Sequence, residues 1–394
     1  MYRMGEEEVQ AVRKVIESGQ LFRYWSEESE AAQFEREWAA KIGTRDAILM
    51  TSGTAALICG LVGLGVGPGD EVIIPSYTFI ATALAPLAAG AIPIIADIDE
   101  SLTIDPRDLE AKITPRTRAI IPVHMNGLPC AMDEVMAIAH AHKLSVLEDA
   151  CQADGGSYGG KRLGSIGDAG AFSFNYFKII SCGEGGALVT NDAQVHERAL
   201  IQHDGGCGFF RDLSELQTPL FAGWNFRGNE ILASILRVQV QRLDDILGAL
   251  RAEKRLLREE LADETAFAFN PVNDHEGDCA TALGLLFESE SGARAFLHAV
   301  NSEGTVANTP RDSGRHIFAN WEAILEQRGA HHPDLNPYRA VAESFSYPAD
   351  MCPNTLTILG RTVAIPTSIK RSREETLSLA ARVKQAAANC VAVA

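Results

Sequence analysis

The sequence predicts an α/β fold: a mostly parallel central sheet flanked by helices, followed by a smaller C-terminal α+β domain. Three observations predict it. Short apolar runs rich in β-branched residues alternate with helix-forming stretches between residues 71 and 174, the pattern of a parallel sheet covered on both faces. Most of those runs end in a polar residue, and open sheets of this kind bind ligands beyond the carboxyl ends of their strands. After roughly residue 230 the alternation gives way to a long helical pattern and then to a less regular stretch. A chain of 394 residues is also too long for one small core, which favours two domains. Residues 1–235 form the large α/β domain, including the N-terminal helix, and residues 236–394 the small α+β domain.

In chain order, MYRMGEEEVQAVRKVIESG (1–19) is an acidic amphipathic helix. The apolar AILM leads into TSGTAAL (51–57), where small residues and hydroxyls open a helix. EVIIPS (71–76), IPIIAD (92–97), RAIIPVH (118–124), LSVLEDA (144–150) and AGAFSF (169–174) read as strands. Between them ATALAPLAAG, DPRDLEAKI and AMDEVMAIAHAHK carry helix formers. The polar residues that end the strands, His124 and Asp149 among them, fall where chemistry is possible. NEILASILRVQVQRLDDILGALRAEKRLLREELA (229–262) reads as a long helix pair.

Composition excludes several function classes. A formal charge of −17 argues against a nucleic-acid partner, because phosphate binding needs basic surface. No apolar run approaches the length of a membrane span, and the N-terminal helix does not read as a signal peptide. Eight cysteines are scattered with no CxxC pair, which implies reduced thiols in a cytoplasmic setting and no metal site.

Three stretches carry the chemistry. A helix N-terminus with Ser and Thr hydroxyls, as in TSGTAAL, can hold a phosphate without any lysine, although such caps also occur at ordinary helices. In LSVLEDACQADGG an apolar strand ends in Glu148 and Asp149. A buried carboxylate there needs a cationic partner, either a structural one or the protonated ring nitrogen of a pyridine cofactor. The third stretch, AFSFNYFKIISCGEGG (171–186), sets Lys178 among aromatic and apolar neighbours and then runs into glycines. An amine that attacks an aldehyde must be partly neutral, and an apolar setting favours that form. A lysine snorkelling from a strand end is the alternative. The three stretches together, in strand–helix order, point to pyridoxal 5′-phosphate (PLP).

In TSGTAAL, GPGDEVIIPSYTFIATA, GAIPIIADID, ITPRTRAIIPVH, LEDACQADGGSYGGKRLGSIGDAGAFSF, GEGGALVTND and GWNFRGNEI, the chain resembles the DegT/DnrJ/StrS family of PLP-dependent sugar aminotransferases, which have the fold type I architecture. The resemblance implies that Lys178 forms the Schiff base and that Asp149 pairs with the pyridinium nitrogen. It places Gln152 beside the cofactor's phenolic oxygen and Phe79 on the ring face. It assigns Gly53, Thr54 and Ser173 to the phosphate cup, and Asn225 to the phosphate of the neighbouring subunit. It therefore implies a homodimer with shared sites, an amino acid donor (glutamate is usual) and a keto-sugar acceptor.

Two departures lie near where a substrate enters. Ile179 follows the lysine where many relatives have Asn, and Met125-Asn126-Gly127 replaces a common Leu-Tyr-Gly turn. Relatives that dehydrate sugars carry His in place of the lysine, and non-catalytic regulators of this fold usually lose the lysine or the ring acid. The presence of Lys178 and Asp149 disfavours both alternatives. The stretch 308–338 reads as a lid, with Arg315, His316 and Trp321 as candidate contacts to the substrate or as ordinary loop residues.

Overall fold

The computed structural model describes residues 2–209, 213–341, 345–348 and 350–391. Helix α1 (Glu6–Ser18) starts at Gly5, whose N–H is taken by Glu8 Oε2 at 2.7 Å. Helix α2 (Glu30–Ile42) is capped by Ser29 Oγ on the Ala32 N–H. The strands and helices of the central domain then follow in order: β1 (Asp46–Met50), α3 (Gly53–Gly63), β2 (Glu71–Pro75), α4 (Ala81–Ala88), β3 (Ile92–Ala96), α5 (Pro106–Ala111), β4 (Thr117–Ile120), α6 (Met132–His142) and β5 (Ser145–Asp149). A small hairpin, β6 (Ser157–Tyr158) and β7 (Lys161–Arg162), precedes β8 (Ala169–Ser173), β9 (Gly186–Thr190) and α7 (Ala193–His203). Every strand and helix expected between residues 71 and 174 is present.

The seven-stranded sheet runs β1-β9-β8-β5-β4-β2-β3. The pairs from β3 through to β8 are parallel, and only β9 runs against its neighbours. The carboxyl ends of β1, β2, β4, β5 and β8 therefore share one edge, and the start of β9 joins them there. Alternation along β1 shows why both faces are covered. Ile48 and Met50 pack with Ala55 and Leu57 of α3, whereas Ala47 and Leu49 pack with Phe34 and Trp38 of α2. Trp38 sits edge-on to Phe172 and Phe174, with centroids 5.0 and 5.2 Å away. Full burial of a large apolar side chain contributes about 1.5–3 kcal/mol, so this aromatic knot fixes α2 against the sheet.

The expected helix pair after residue 229 is instead one helix, α8 (Glu230–Glu260), 31 residues long. Gly248, within this helix, has open space where a Cβ would stand, and a glycine costs an exposed helix only about 1 kcal/mol. The boundary placed at 235/236 thus falls inside a continuous helix. Along α8, Leu250 still packs in the large core, and Leu257 already packs in the small one. The small domain follows as β10 (Ala268–Phe269), β11 (Ala282–Leu286), α9 (Glu290–Ser302), α10 (Glu322–Leu325), α11 (Pro353–Arg361), β12 (Thr362–Pro366) and α12 (Arg373–Val391). Its antiparallel sheet, β10-β11-β12, is backed by α9 and α12 around Phe287, Phe296 and Val383. Among the described residues no helix is long and apolar enough to cross a membrane.

The stretch expected to be a lid is docked on the large domain. Phe318 N donates to Ser76 O (2.9 Å), Thr78 N to His316 O (2.9 Å) and Ile80 N to Arg315 O (3.0 Å). Trp321, Ile324 and Tyr338 are buried in the same core as α3 and α4. Three backbone bonds and three buried side chains make it a wall, not a flap.

Candidate active site

The shared strand edge assembles the site. At the end of β1, Ser52 Oγ caps α3 by accepting from Ala55 N at 3.1 Å. The N–H groups of Gly53 and Thr54 precede the first intrahelical donor, Ala56 N, which bonds to Ser52 O at 3.1 Å, so they remain for an anion. A Cβ added to Gly53 would lie 2.6 Å from Cys151 Sγ and 2.8 Å from Ser173 Cβ. A Cβ on Gly186, the first residue of β9, would lie 2.3 Å from the Ser52 carbonyl carbon. Only glycine permits β1, β8 and β9 to converge this closely. Gly53, Thr54 and Ser173 are thus brought together as a cup of neutral donors.

Asp149 ends β5 and is 5% exposed. Its Oδ2 accepts from Thr82 Oγ1 at 2.8 Å and its Oδ1 from Cys151 N at 3.1 Å. Thr78 Oγ1, 2.7 Å from Thr82 Oγ1, supports that hydroxyl from behind. No Lys, Arg or His forms an ion pair with Asp149 among the described residues, which suits a carboxylate whose cation arrives with a cofactor. The adjacent Glu148 differs. It accepts from the N–H groups of Gly164, Ile166 and Gly167 at 2.8, 2.6 and 2.7 Å and lies 3.0 Å from His124 Nε2. His124 Nδ1 in turn accepts from Cys130 N at 3.1 Å. His124, expected at the reactive edge, is therefore completely buried and committed to structure.

Lys178 sits in a turn held by Asn175, whose carbonyl accepts from Lys178 N (3.1 Å) and whose Oδ1 accepts from Phe177 N (3.0 Å). It lines a cavity of about 450 Å³ between the two domains, together with Tyr77, Phe79, Asn126, Gln152, Ser313 and His316. Residues of β11, β12 and the Asn308–Pro310 region close the other side. Ile179, the departure after the lysine, is buried and forms part of this wall. Asn126, the other departure, adopts a left-handed φ of 55°, which Asn tolerates better than most residues. Its N–H donates to Gln152 Oε1 (3.1 Å), its Nδ2 to Tyr77 OH (3.2 Å), and its carbonyl accepts from Thr281 Oγ1 (2.5 Å). Burial pushes the Tyr77 phenol up to about 12, so it stays protonated as a donor.

Phe79 and His316 face each other with centroids 5.3 Å apart. His316 Nδ1 donates to Ser313 O at 3.0 Å, leaving Nε2 as the ring's acceptor. Burial lowers this imidazole below its usual range; the Ser313 carbonyl opposes that shift and the Lys178 charge adds to it. The other two candidates from this stretch do not reach the cavity. Trp321 is fully buried in the core, its Nε1 donating to Arg315 O at 2.8 Å. Arg315 is exposed and tied to Glu322 and to Asn320 O (2.6 Å). The indole is a wedge that anchors the wall, and the guanidinium closes a local surface ion pair. Asn225 also lies outside the cavity lining, exposed, with its Oδ1 3.3 Å from Arg227 N.

Sequence reading missed Tyr77, Asn175, Thr281, Asn308 and Ser313. The first two flank recognised motifs and were within reach. The others come from the small domain, whose approach to Lys178 has no local signal. The residues present could hold PLP, with the start of α3 and Ser173 for the phosphate, Asp149 for the ring nitrogen and the Lys178 amine for attachment; of these Lys178 lines the cavity, and Asp149, Gly53, Thr54 and Ser173 lie outside its lining.

The sequence model of the DegT/DnrJ/EryC1/StrS aminotransferase family matches residues 2–309. The spore coat polysaccharide biosynthesis protein SpsC of Bacillus subtilis (strain 168) is 40% identical over 374 residues, which span 92% of this chain and 90% of that protein. Among solved structures, 3-amino-5-hydroxybenzoic acid synthase aligns with a TM-score of 0.81 at 29% identity, over 99% of this chain and 98% of that one. S. venezuelae DesV, in complex with a ketimine intermediate, aligns with a TM-score of 0.80 at 30% identity, over 97% and 94%.

Proposed function

The chain belongs to the DegT/DnrJ/EryC1/StrS family of PLP-dependent aminotransferases, with the fold type I architecture, and from that premise we propose that it moves an amino group from an amino acid, preferably glutamate, onto the ketone of a sugar. The observation that supports the reading is that Lys178, Phe79 and Gln152 line one cavity, while Asp149, Ser173 and the start of α3 at Gly53 stand at the carboxyl ends of β5, β8 and β1, outside that lining. When bound, PLP supplies an electron sink that stabilises the carbanion formed as the donor's α-proton leaves. The cup binds the phosphate through neutral donors, each hydrogen bond to the charged group worth roughly 1.5–3 kcal/mol. Asp149 would hold a proton on the ring nitrogen. Lys178 Nζ would attach the cofactor and serve as the base that takes the donor's α-proton and gives it back to the reacting carbon. Phe79 and Gln152, both in the cavity lining, would help hold the ring.

The acceptor's chemistry is supported by the rest of the lining. Tyr77, Asn126, Thr281, Asn308 and Ser313 offer neutral amides and hydroxyls, which match a polyhydroxylated ring, and about 450 Å³ is in the range of small-molecule sites. A homodimer with shared sites is part of the proposal. Tyr176, Phe177 and Trp224 are 67%, 75% and 66% exposed, an apolar display that suits a second copy. In that assembly Asn225, beside Trp224, completes the partner's phosphate cup. A cytoplasmic setting accords with the seven described cysteines, all free.

The test is an acceptor half-reaction. Protein loaded with the amine form of the cofactor is mixed with nucleotide-linked 3- and 4-keto sugars, with 2-oxo acids as controls. One keto sugar should restore the visible absorbance of the lysine-linked form and emerge as an amino sugar by mass. Restoration by 2-oxo acids alone would overturn the reading.

A further inference from the structure

Several side chains lining the cavity carry both hydrogen-bond donors and acceptors, and their main-chain partners decide which is left over. A carbonyl can only accept and a peptide N–H can only donate, so a side chain bonded to either has its remaining polarity fixed. On the side formed by residues 281–316, three side chains face main-chain carbonyls. Thr281 Oγ1 lies 2.5 Å from Asn126 O, and Ser313 Oγ lies 2.6 Å from Pro310 O. Two oxygens that close need the hydroxyl hydrogen between them. His316 Nδ1 lies 3.0 Å from Ser313 O, which puts the ring hydrogen on Nδ1. Each group has spent its hydrogen, and what remains for a ligand is a lone pair. It sits on Oγ1, on Oγ and on Nε2 of the neutral imidazole, the form that burial favours. Asn308 adds an amide that carries both kinds of group.

The large-domain side is fixed the opposite way. Gln152 Oε1 accepts from Asn126 N at 3.1 Å, and Asn175 Oδ1 accepts from Phe177 N at 3.0 Å. Both amides are left with their NH2 groups, on the same side as the Lys178 amine. All six residues line the one cavity, and among the described residues Lys178 is the only charged one that does. Asn126 stands at the join. Its N–H makes Gln152 a donor, and its carbonyl makes Thr281 an acceptor.

We propose that the cavity is sorted by hydrogen-bond polarity, and that Thr281, Ser313 and His316 are specificity-determining residues that take the hydroxyl hydrogens of the acceptor sugar. An oxygen without a hydrogen, whether ketone, carboxylate or phosphate, meets only lone pairs on that wall, and its desolvation there goes uncompensated. Such an oxygen belongs on the side of Lys178, Gln152 and Asn175. The sugar is thereby oriented with its ketone toward the amine and its hydroxyls toward the wall, and any anionic substituent lies away from residues 281–316. The proposal rests on the keto-sugar reading above and names the part of that substrate which the wall accepts.

One test is independent of the substrate. In apoprotein carrying isotope-labelled histidine, nitrogen NMR of the His316 ring, assigned by its loss in His316→Phe, should show a hydrogen on Nδ1 and a bare Nε2 at neutral pH. A hydrogen on Nε2, or a doubly protonated ring, overturns the acceptor wall whatever the substrate. The other test uses the keto sugar that restores the visible absorbance of the loaded enzyme, with its deoxy and deoxyfluoro analogues. Fluorine keeps an acceptor and removes the hydrogen. At a hydroxyl facing the wall, both analogues should therefore lower kcat/KM by about 10- to 100-fold, chiefly through KM. In whichever of Thr281→Val, Ser313→Ala and His316→Phe removes the partner of that hydroxyl, the parent sugar should lose a similar factor and the analogues little more. Fluorine tolerated as well as hydroxyl at every position, or penalties undiminished in all three variants, overturns the proposal. Reaction with 2-oxo acids alone would instead overturn the keto-sugar reading, while the imidazole result stands or falls by itself.

Discussion

Lys178→Ala abolishes turnover and the visible absorbance of bound cofactor, and leaves a folded protein. Among the described residues Lys178 is the sole lysine lining the cavity, so no neighbour there inherits attachment or proton transfer, and a loss of at least about 10⁴-fold follows. The fold survives because no other group depends on Nζ for a hydrogen bond, and the turn is held by Asn175 through the backbone. The same variant tests the shared site. Asn225→Ala alone should weaken cofactor retention. In a mixed dimer with Lys178→Ala, one site carries both defects and the other neither. After random exchange, activity should recover to about a quarter of wild type. No recovery after verified subunit exchange would mean that Asn225 serves its own chain.

Asp149→Asn should keep the cofactor bound and slow α-proton removal by several orders of magnitude. In the proposed site the phosphate would be held from the ends of β1 and β8, so its grip would not depend on β5. The amide can still accept from Cys151 N or pair with Thr82, and the local fold keeps its bonds. What is lost is the negative charge that holds a proton on the ring nitrogen. Single-turnover rates with glutamate read this directly. A change of less than about tenfold, roughly 1.4 kcal/mol of barrier, would mean that Asp149 is not the ring partner.

The parts of the site built from strand ends were legible because short continuous apolar runs alternate with helix-forming stretches. Those runs located β2, β3, β4, β5 and β8, of which β2, β5 and β8 are buried on both faces, and the polar residue closing a run located Asp149 and Ser173. Lys178 stood out because its neighbours are apolar. The helical wall from 308 to 338 was misjudged for a physical reason. In short 3₁₀ turns successive side chains point in unrelated directions, so composition alone could not separate His316, which faces the cavity, from Trp321, which faces the core. Arg315 needed its partner Glu322 to be seen across a turn. The place where α8 passes from one core to the other carries no local mark, because a continuous helix does not change its pattern where its packing partner changes.

The most direct measurement is borohydride reduction of the resting enzyme, followed by digestion and mass spectrometry of the peptides. The cofactor's mass should appear on the peptide that contains Lys178 and on no other. Attachment to a different lysine, or release of all the cofactor after reduction, would contradict a site centred on Lys178.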